Sequence, residues 1–485
     1  MTMAKSAGIH SMGGAKITLI FKDHEGNPTL GADLAKKLIL DDKVDGILGC
    51  YHSSVTKTVS AVCEQYGVPM INGSSTSPGL TERGFKWFWR TTPHDRWFTK
   101  DLFDFLVGLS EGKVKGVPAV DREEINLVAS ACENSEWGSF VSKVIEEMAA
   151  EYKFKLRKSL LYSDKSPDLS SEVRSLKASK ASVLLFASYT SDAILMVKTL
   201  KTQKVQPKII WGQDAGFDKP EFRSTLGDSI EGILTRSVFL PQVVQIKPLA
   251  GQVNTLYKAK TGNDLGGASA RAFTGLQAWI HVLELAGSTE PAAIQKAANA
   301  IEIPGEELVV PWAGVKFANT GNEMGQNVLG SGLIGQYQKG ADGQIGVEIV
   351  YPFDVASAAQ ASASSRVRTV RSNLWLPLAI SRQRGRRRYV TSSIDDGFAR
   401  IVQSMDCPCH VSTSAVPSWM RNQRAPPPRR RTTHEASTPW AVTGSRARLN
   451  WSSRVGGSSE PLPGVTSRAR AASPGTNAAK TTPVW

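Results

Sequence analysis

Between residues 14 and 352 the chain alternates short apolar runs with amphipathic stretches of helical period. Residues 16–22, KITLIFK, alternate apolar and polar positions and read as a strand that enters a loop at 23–28. Leu30, Leu34, Leu38 and Ile39 then recur at helical spacing, and VDGILG brings a second strand, residues 44–48, up to Cys50. Beyond Tyr51-His52-Ser53-Ser54, the positions Val55, Val59, Val62 and Tyr66 mark another helix. A third run, VPMI, stops at Asn72 and opens into Gly73-Ser74-Ser75-Thr76-Ser77-Pro78.

A short strand at 87–90, the turn Thr92-Pro93-His94-Asp95 and a helix at 97–109 lead into a second series of the same kind. Its strands are expected at 125–129, 158–161, 182–187 and 208–211, and its helices at 141–152, 168–178 and 193–202, with a loop at 130–137. Helices at 248–261, 268–286 and 291–300 follow, and then short strands at 315–318, 326–336 and 347–351. The repeated strand, loop, helix unit makes this an α/β chain with parallel sheets, in two Rossmann-like lobes of similar build joined near Thr92 to Asp95.

In such sheets the strand ends carry the chemistry, because free backbone N–H groups and helix N-termini gather at the carboxyl edge. Ser53, Ser74, Ser75 and Thr76 fall there in the first lobe, and Trp137, Tyr189 and Asp214 in the second. Taken singly each has a plainer explanation: hydroxyls cap helices, aromatics pack, and an Asp at a strand end caps the next turn of the chain. Their shared placement makes them the candidate ligand-binding residues, since a molecule held between two lobes meets these loops first.

Net charge changes the picture only when it is divided along the chain. The whole carries +14, but residues 361–485 hold 20 Lys and Arg against 5 Asp and Glu, which leaves the first 360 residues at −1. That tail is rich in Arg, Ser and Pro without apolar periodicity and reads as disordered. It is either an arm for nucleic acid or a membrane surface, or a stretch unrelated to the fold, and a nucleic-acid partner is not expected of the globular part. Five cysteines fall at 50, 63, 132, 407 and 409. Cys50 and Cys63 are open to pairing in an oxidising compartment. The run Cys407-Pro408-Cys409-His410 has half a zinc site's spacing without a second pair, so no metal is expected.

No run of 18 apolar residues exists to cross a membrane, and residues 1–14 lack the apolar core of a signal peptide. A nucleophile elbow, a P-loop, a paired CxxC and a dinucleotide fingerprint are all missing. A binding protein without a cofactor, rather than an enzyme, is the expectation.

The segments KITLIFKDHEGNP, AKKLILDDKVDGILG, GVPMINGSSTSPGLTERG with FWRTTP, DLSSEVRSLKASKASVLLF, EGILTRSVFLP and GNEMGQNVLGSGLIGQYQKGADGQIGVEIVYP together resemble the type I periplasmic solute-binding proteins of the branched-chain amino acid transport group. The resemblance covers roughly residues 14–352. It implies two lobes closing on a small molecule, with 1–93 and 239–328 in lobe I, 94–238 and 329–352 in lobe II, and a disordered tail at 353–485. Three segments should cross between lobes, near Thr92 to Asp95, Arg236 to Leu240 and Asn327 to Ser331. The implied partners are an amino acid or analogue and the permease subunits of an ABC importer.

By position, Ser53 is similar to the hydroxyl that holds the ligand carboxylate, Ser74, Ser75 and Thr76 complete that cradle, Trp137 and Tyr189 cover the ligand, and Asp214 receives an α-ammonium. Trp137 and the short Asp214 depart from the usual Tyr and Glu and imply a reshaped pocket. The resemblance further implies that a strand, a Gly-rich loop and a helix precede the motif after Gly13, so that lobe I is shortened here, and that a signal peptide is missing. A cytoplasmic ligand-sensing regulator of the same fold is the alternative role.

Overall fold

The computed structural model describes residues 8–114, 117–340 and 342–356. The first sheet is small and all parallel, in the order β1 (Ile47–Leu48), β2 (Met70–Asn72), β3 (Phe88–Arg90). Met70 lies opposite both Ile47 and Phe88 in the two ladders. Helices α1 (Pro28–Leu40) and α2 (Ser53–Tyr66) pack on one face. Because strand side chains alternate, Met70 and Phe88 join Ala35, Val55, Val59 and Cys63 on that face, while Ile71 and Trp89 enter a different core on the other.

Residues 16–22 form no strand, contrary to their alternating pattern. A strand exists only by ladder bonds to a neighbour, and among the described residues β1 pairs with β2 alone. The stretch therefore runs over the surface with Ile17, Leu19 and Ile20 exposed and Phe21 84% exposed.

The second sheet has seven strands in the order β12-β11-β8-β7-β6-β4-β5. Its parallel part comprises β4 (Leu127–Glu133), β5 (Lys155–Tyr162), β6 (Val183–Ala187), β7 (Ile209–Gly212) and β8 (Leu234–Ser237). Helices α3 (Asp95–Ser110) and α5 (Glu136–Glu151) cover one face, with a short α4 (Arg122–Ile125) before β4. Helices α6 (Ser170–Ser179), α7 (Thr190–Thr202) and α8 (Pro220–Leu226) cover the other. Two covered faces explain the unbroken apolar run VLLFA in β6: Leu185 points to the first helical layer and Leu184 and Phe186 to the second. Each such fully buried side chain stabilises the fold by about 1.5–3 kcal/mol.

After β8 the chain returns to the core of Ile71 and Trp89 through α9 (Val243–Ile246), α10 (Pro248–Thr261), α11 (Gly267–Ala286), α12 (Pro291–Ala300) and the antiparallel pair β9 (Glu302–Pro304) and β10 (Gly314–Lys316). It then rejoins the large sheet as the antiparallel strands β11 (Leu333–Lys339) and β12 (Ile345–Tyr351). Three passages thus run between the small-sheet and large-sheet regions, after Arg90, after Ser237 and after Asn327. Side chains lace two of them together. Asn327 Nδ2 donates to the Thr91 carbonyl at 3.0 Å, and Gln326 Nε2 donates to that of Thr92 at 2.9 Å.

Two further expectations change. Ser130 to Glu133 lie within β4 rather than a loop, and α5 begins earlier, so Trp137 sits in a helical first turn. Cys50, Cys63 and Cys132 are free thiols, so the pairing open to Cys50 and Cys63 is not made. The Cys407 to His410 cluster and the basic tail from residue 361 lie outside the described residues. Among the described residues no helix is long and apolar enough to cross a membrane, and no cluster of His, Cys, Asp and Glu is arranged to hold a metal ion.

Candidate ligand-binding cleft

Two loops at the carboxyl edge of the small sheet are tied together by one amide. Asn72, the last residue of β2, donates through Nδ2 to the carbonyls of Gly49 at 2.7 Å and Cys50 at 2.9 Å. Its Oδ1 accepts from the backbone N–H groups of Ser74 at 3.1 Å and Ser75 at 2.8 Å. The loop after β1 and the loop after β2 are thereby fixed side by side. Ser53 opens α2, whose N-cap His52 makes no side-chain bond to the first turn, so that turn keeps the free amides and partial positive charge of a helix N-terminus. Ser53 Oγ accepts from the Ser77 N–H at 3.3 Å.

The cleft spans about 260 Å³ of non-atom space, open solvent included. Tyr51, Ser53, Ser74 and Thr76 line it from the small-sheet side, and Trp137, Tyr189 and Asp214 from the large-sheet side. Ser75 does not reach it. Its hydroxyl is within 2.6 Å of Thr56 Oγ1 and donates to the carbonyls of Cys50 and Tyr51, both at 3.0 Å, so it stitches the two loops from behind.

Across the cleft, Glu133 holds the start of α5 by accepting from the N–H groups of Ser135 and Gly138, both at 2.6 Å. This sets Trp137 with its ring centroid 5.2 Å from that of Tyr189, and Tyr189 in turn 5.0 Å from the His52 ring on the opposite side. The indole Nε1 of Trp137 is buried without a partner. Behind Tyr189, the Tyr162 hydroxyl contacts Ser188 Oγ at 2.6 Å and Asp192 Oδ2 at 2.7 Å.

Burial pushes the Asp192 carboxyl up to about 7 from 3.8, although the Tyr162 bond opposes the rise. The folded chain therefore keeps a proton that the unfolded chain has lost between about pH 4 and about pH 7, and stability falls as pH rises through that window. Against the parent, Asp192→Asn is expected to gain about 2 kcal/mol of relative stability between pH 4 and pH 8, measured by urea unfolding at each pH.

The remaining wall was not foreseen. Arg236, from β8, and Arg271, from α11, line the same cavity as Asp214. Asp214 Oδ2 accepts from Arg236 Nη1 at 2.8 Å and from Arg271 Nη1 at 2.5 Å, while its Oδ1 has no partner. Arg236 also donates to Asp95 Oδ1 at 3.0 Å and stacks 3.8 Å over the Phe98 ring. Burial would raise the Asp214 carboxyl, but Arg271 and Arg236 outweigh it and hold the group below the usual carboxylate range. Burial and the Asp214 charge push neighbouring Asp218 upward.

Arg271 reaches the cleft because α11 approaches the loop after β2 at two glycines. A Cβ on Gly73 would stand 2.8 Å from the Arg271 carbonyl, and one on Gly275 would stand 3.0 Å from Leu48. The signal for Arg271 was its place on the buried stripe with Thr274, Gly275 and Ala278, where an unpaired cation is too costly to leave unexplained. Arg236 gave the same signal inside the apolar run of residues 233–240.

Known proteins share this architecture. Residues 3–331 match the family model described as periplasmic binding protein. The Leu/Ile/Val-binding protein homolog 7 of Brucella abortus (strain 2308) is 26% identical over 332 residues, 67% of this chain and 80% of that protein. A leucine binding protein, LivK, from Thermotoga maritima MSB8 superposes with a TM-score of 0.60 at 18% identity, covering 72% of this chain and 91% of the other. A solute binding protein of an ABC transporter from Rhodopseudomonas palustris BisB5, in complex with 3,4-dihydroxy benzoic acid, gives 0.58 at 17% identity over 70% and 86%. The branched-chain amino acid transporter substrate binding protein LivJ from Streptococcus pneumoniae, in complex with isoleucine, gives 0.56 at 20% identity over 71% and 90%. The chain belongs to the periplasmic binding protein family, with the type I fold and in the group of the Leu/Ile/Val-binding proteins.

Proposed function

We propose that this chain is the solute-capturing component of an ABC importer, working in the periplasm. It takes a small carboxylate-bearing solute of the amino acid, amide or aromatic acid classes between two closing lobes and delivers it to a membrane permease. The observation that carries this reading is the convergence of Ser53, Ser74 and Thr76, with the uncapped N-terminus of α2, on a cleft whose opposite wall is Trp137 and Tyr189. Hydroxyls and a helix N-terminus suit a carboxylate, and the rings suit its carbon skeleton. Ser75 keeps the cradle's two loops together rather than touching the solute. Asp214 lies at the far end, with Oδ1 open to a donor.

Residues 1–93 with 239–328 act as one lobe, and 94–238 with 329–352 as the other. A ligand that touches both shifts the population toward the closed form. Isoleucine and 3,4-dihydroxy benzoic acid, each bound by a relative in fold, bracket the size range. The test is a thermal-shift screen of amino acids, amides and aromatic carboxylates, with calorimetry on the hits. At 100 times its Kd the cognate solute should add about 2.7 kcal/mol of stability. A screen in which no compound raises the melting temperature in a saturable way sinks the reading.

A further inference from the structure

The far wall of the cleft is richer in donors than an α-ammonium site requires. Arg271 and Arg236 each have only about 1% of their side chain exposed, both line the cavity, and both place a guanidinium nitrogen on the same oxygen of Asp214. The single charge of Asp214 is thus divided between two cations, one of which has Asp95 as a second partner. Lys219 adds a third cation 5.2 Å from the centroid of the Tyr51 ring, within reach of Asp218 at 3.5 Å.

The polar atoms left without partners point the same way. Trp137 Nε1, Arg236 Nε and Arg271 Nε are donors, and among the fully buried side-chain atoms of the described residues lining the cavity only Asp214 Oδ1 stands against them as an unpartnered acceptor. A buried donor without a partner is costly, so the group that fills this wall should bring oxygen acceptors. An ammonium entering here would approach Asp214 past two guanidiniums of like charge.

We infer that the preferred solute is a small organic acid carrying a second acceptor, an oxo or carboxylate group, where an amino acid carries its ammonium, and that Arg271 selects it. Such a molecule lays one carboxylate on Ser53, Ser74 and Thr76 and presents its second oxygen group to Arg271 and Trp137. The inference rests on the solute-binding reading above and narrows it.

A matched pair separates the possibilities. Leucine and 4-methyl-2-oxopentanoate share a carbon skeleton and differ in ammonium against oxo oxygen; succinate and glutarate extend the acid series. Calorimetry on the full chain is expected to give the oxo acid or a dicarboxylate an affinity about tenfold or more above that of leucine, because a site built around donors rejects a ligand that lacks the acceptor. Arg271→Gln should weaken binding of the acids about tenfold more than it weakens binding of leucine, glutamine and other amino acids. Leucine binding more tightly than its oxo analogue overturns the inference but leaves solute capture standing, and that comparison needs no variant. Equal acid affinity in a folded Arg271→Gln protein also overturns it. If neither series binds at millimolar concentration, the solute-binding reading falls with it.

Discussion

Asp214→Ala is expected to lower the unfolding free energy by about 3–5 kcal/mol, the usual effect of removing one member of a buried ionic cluster. The cause is the pair of cations left behind. Arg236 keeps Asp95 at 3.0 Å, but Arg271 loses the carboxylate that holds it, and neither guanidinium can reach bulk water from its buried position. Denaturant unfolding of the parent, Asp214→Ala and the double variant Asp214→Ala, Arg271→Leu measures the effect. The double variant should recover most of the loss, because removing both charges ends the uncompensated burial. A single-variant loss below about 1 kcal/mol would mean that water reaches the cluster in solution and that the ionic contacts contribute little.

Arg90→Met should have the second largest effect, and it acts on the opposite wall. Arg90 is fully buried at the end of β3 and joins three parts of the chain. Nε donates to Gln326 Oε1 at 2.7 Å, Nη1 donates to the Ser77 carbonyl at 2.6 Å, and Nη2 donates to Thr81 Oγ1 at 3.1 Å. Burial holds its guanidinium down to about 10, although the Asp95 and Glu323 carboxylates oppose the fall. Met fills similar space but leaves those acceptors unpaired, at about 1–3 kcal/mol for each that water cannot reach. The loop that carries Ser74 and Thr76 then loses its anchor. Hydrogen exchange should quicken across residues 74–81, and affinity for the cognate solute should fall about tenfold or more. Unchanged exchange there would show that Asn72 and Ser75 suffice to hold the loop.

The parallel strands and their helices were legible because apolar spacing reports which face of an element is buried, and burial here follows the strand and helix periods closely. Residues 16–22 carried the same signal without forming a strand, since alternation describes one segment and pairing requires two. At the cleft, residue type and position at strand ends marked Ser53, Ser74, Thr76, Trp137, Tyr189 and Asp214 as neighbours of one space. Ser75 reads no differently from Ser74 in sequence. Which of two adjacent hydroxyls faces the cavity is decided by loop torsions and by Thr56, 19 positions away. Arg236 and Arg271 were passed over because each sits in a stretch whose apolar pattern already explained it, although a cation on such a stripe demands a counter-charge.

The core shared by Ile71 and Trp89 has a consequence for how the chain is made. Apart from Phe98, Leu333, Ile349 and Ala356, its remaining side chains run from Val238 to Phe317 and come from α9 to α12, the two short strands after them and the loops between. A ribosome adding about 5–20 residues per second emits β3 on the order of 10–45 s before the last of those partners. During that interval the three-stranded sheet has one finished face and one bare one, while the intervening strands β4 to β8 already have their own helices at hand. The large sheet should therefore mature first, and the small sheet, though made earlier, should be among the last parts to gain protection, with chaperones engaging it in the meantime.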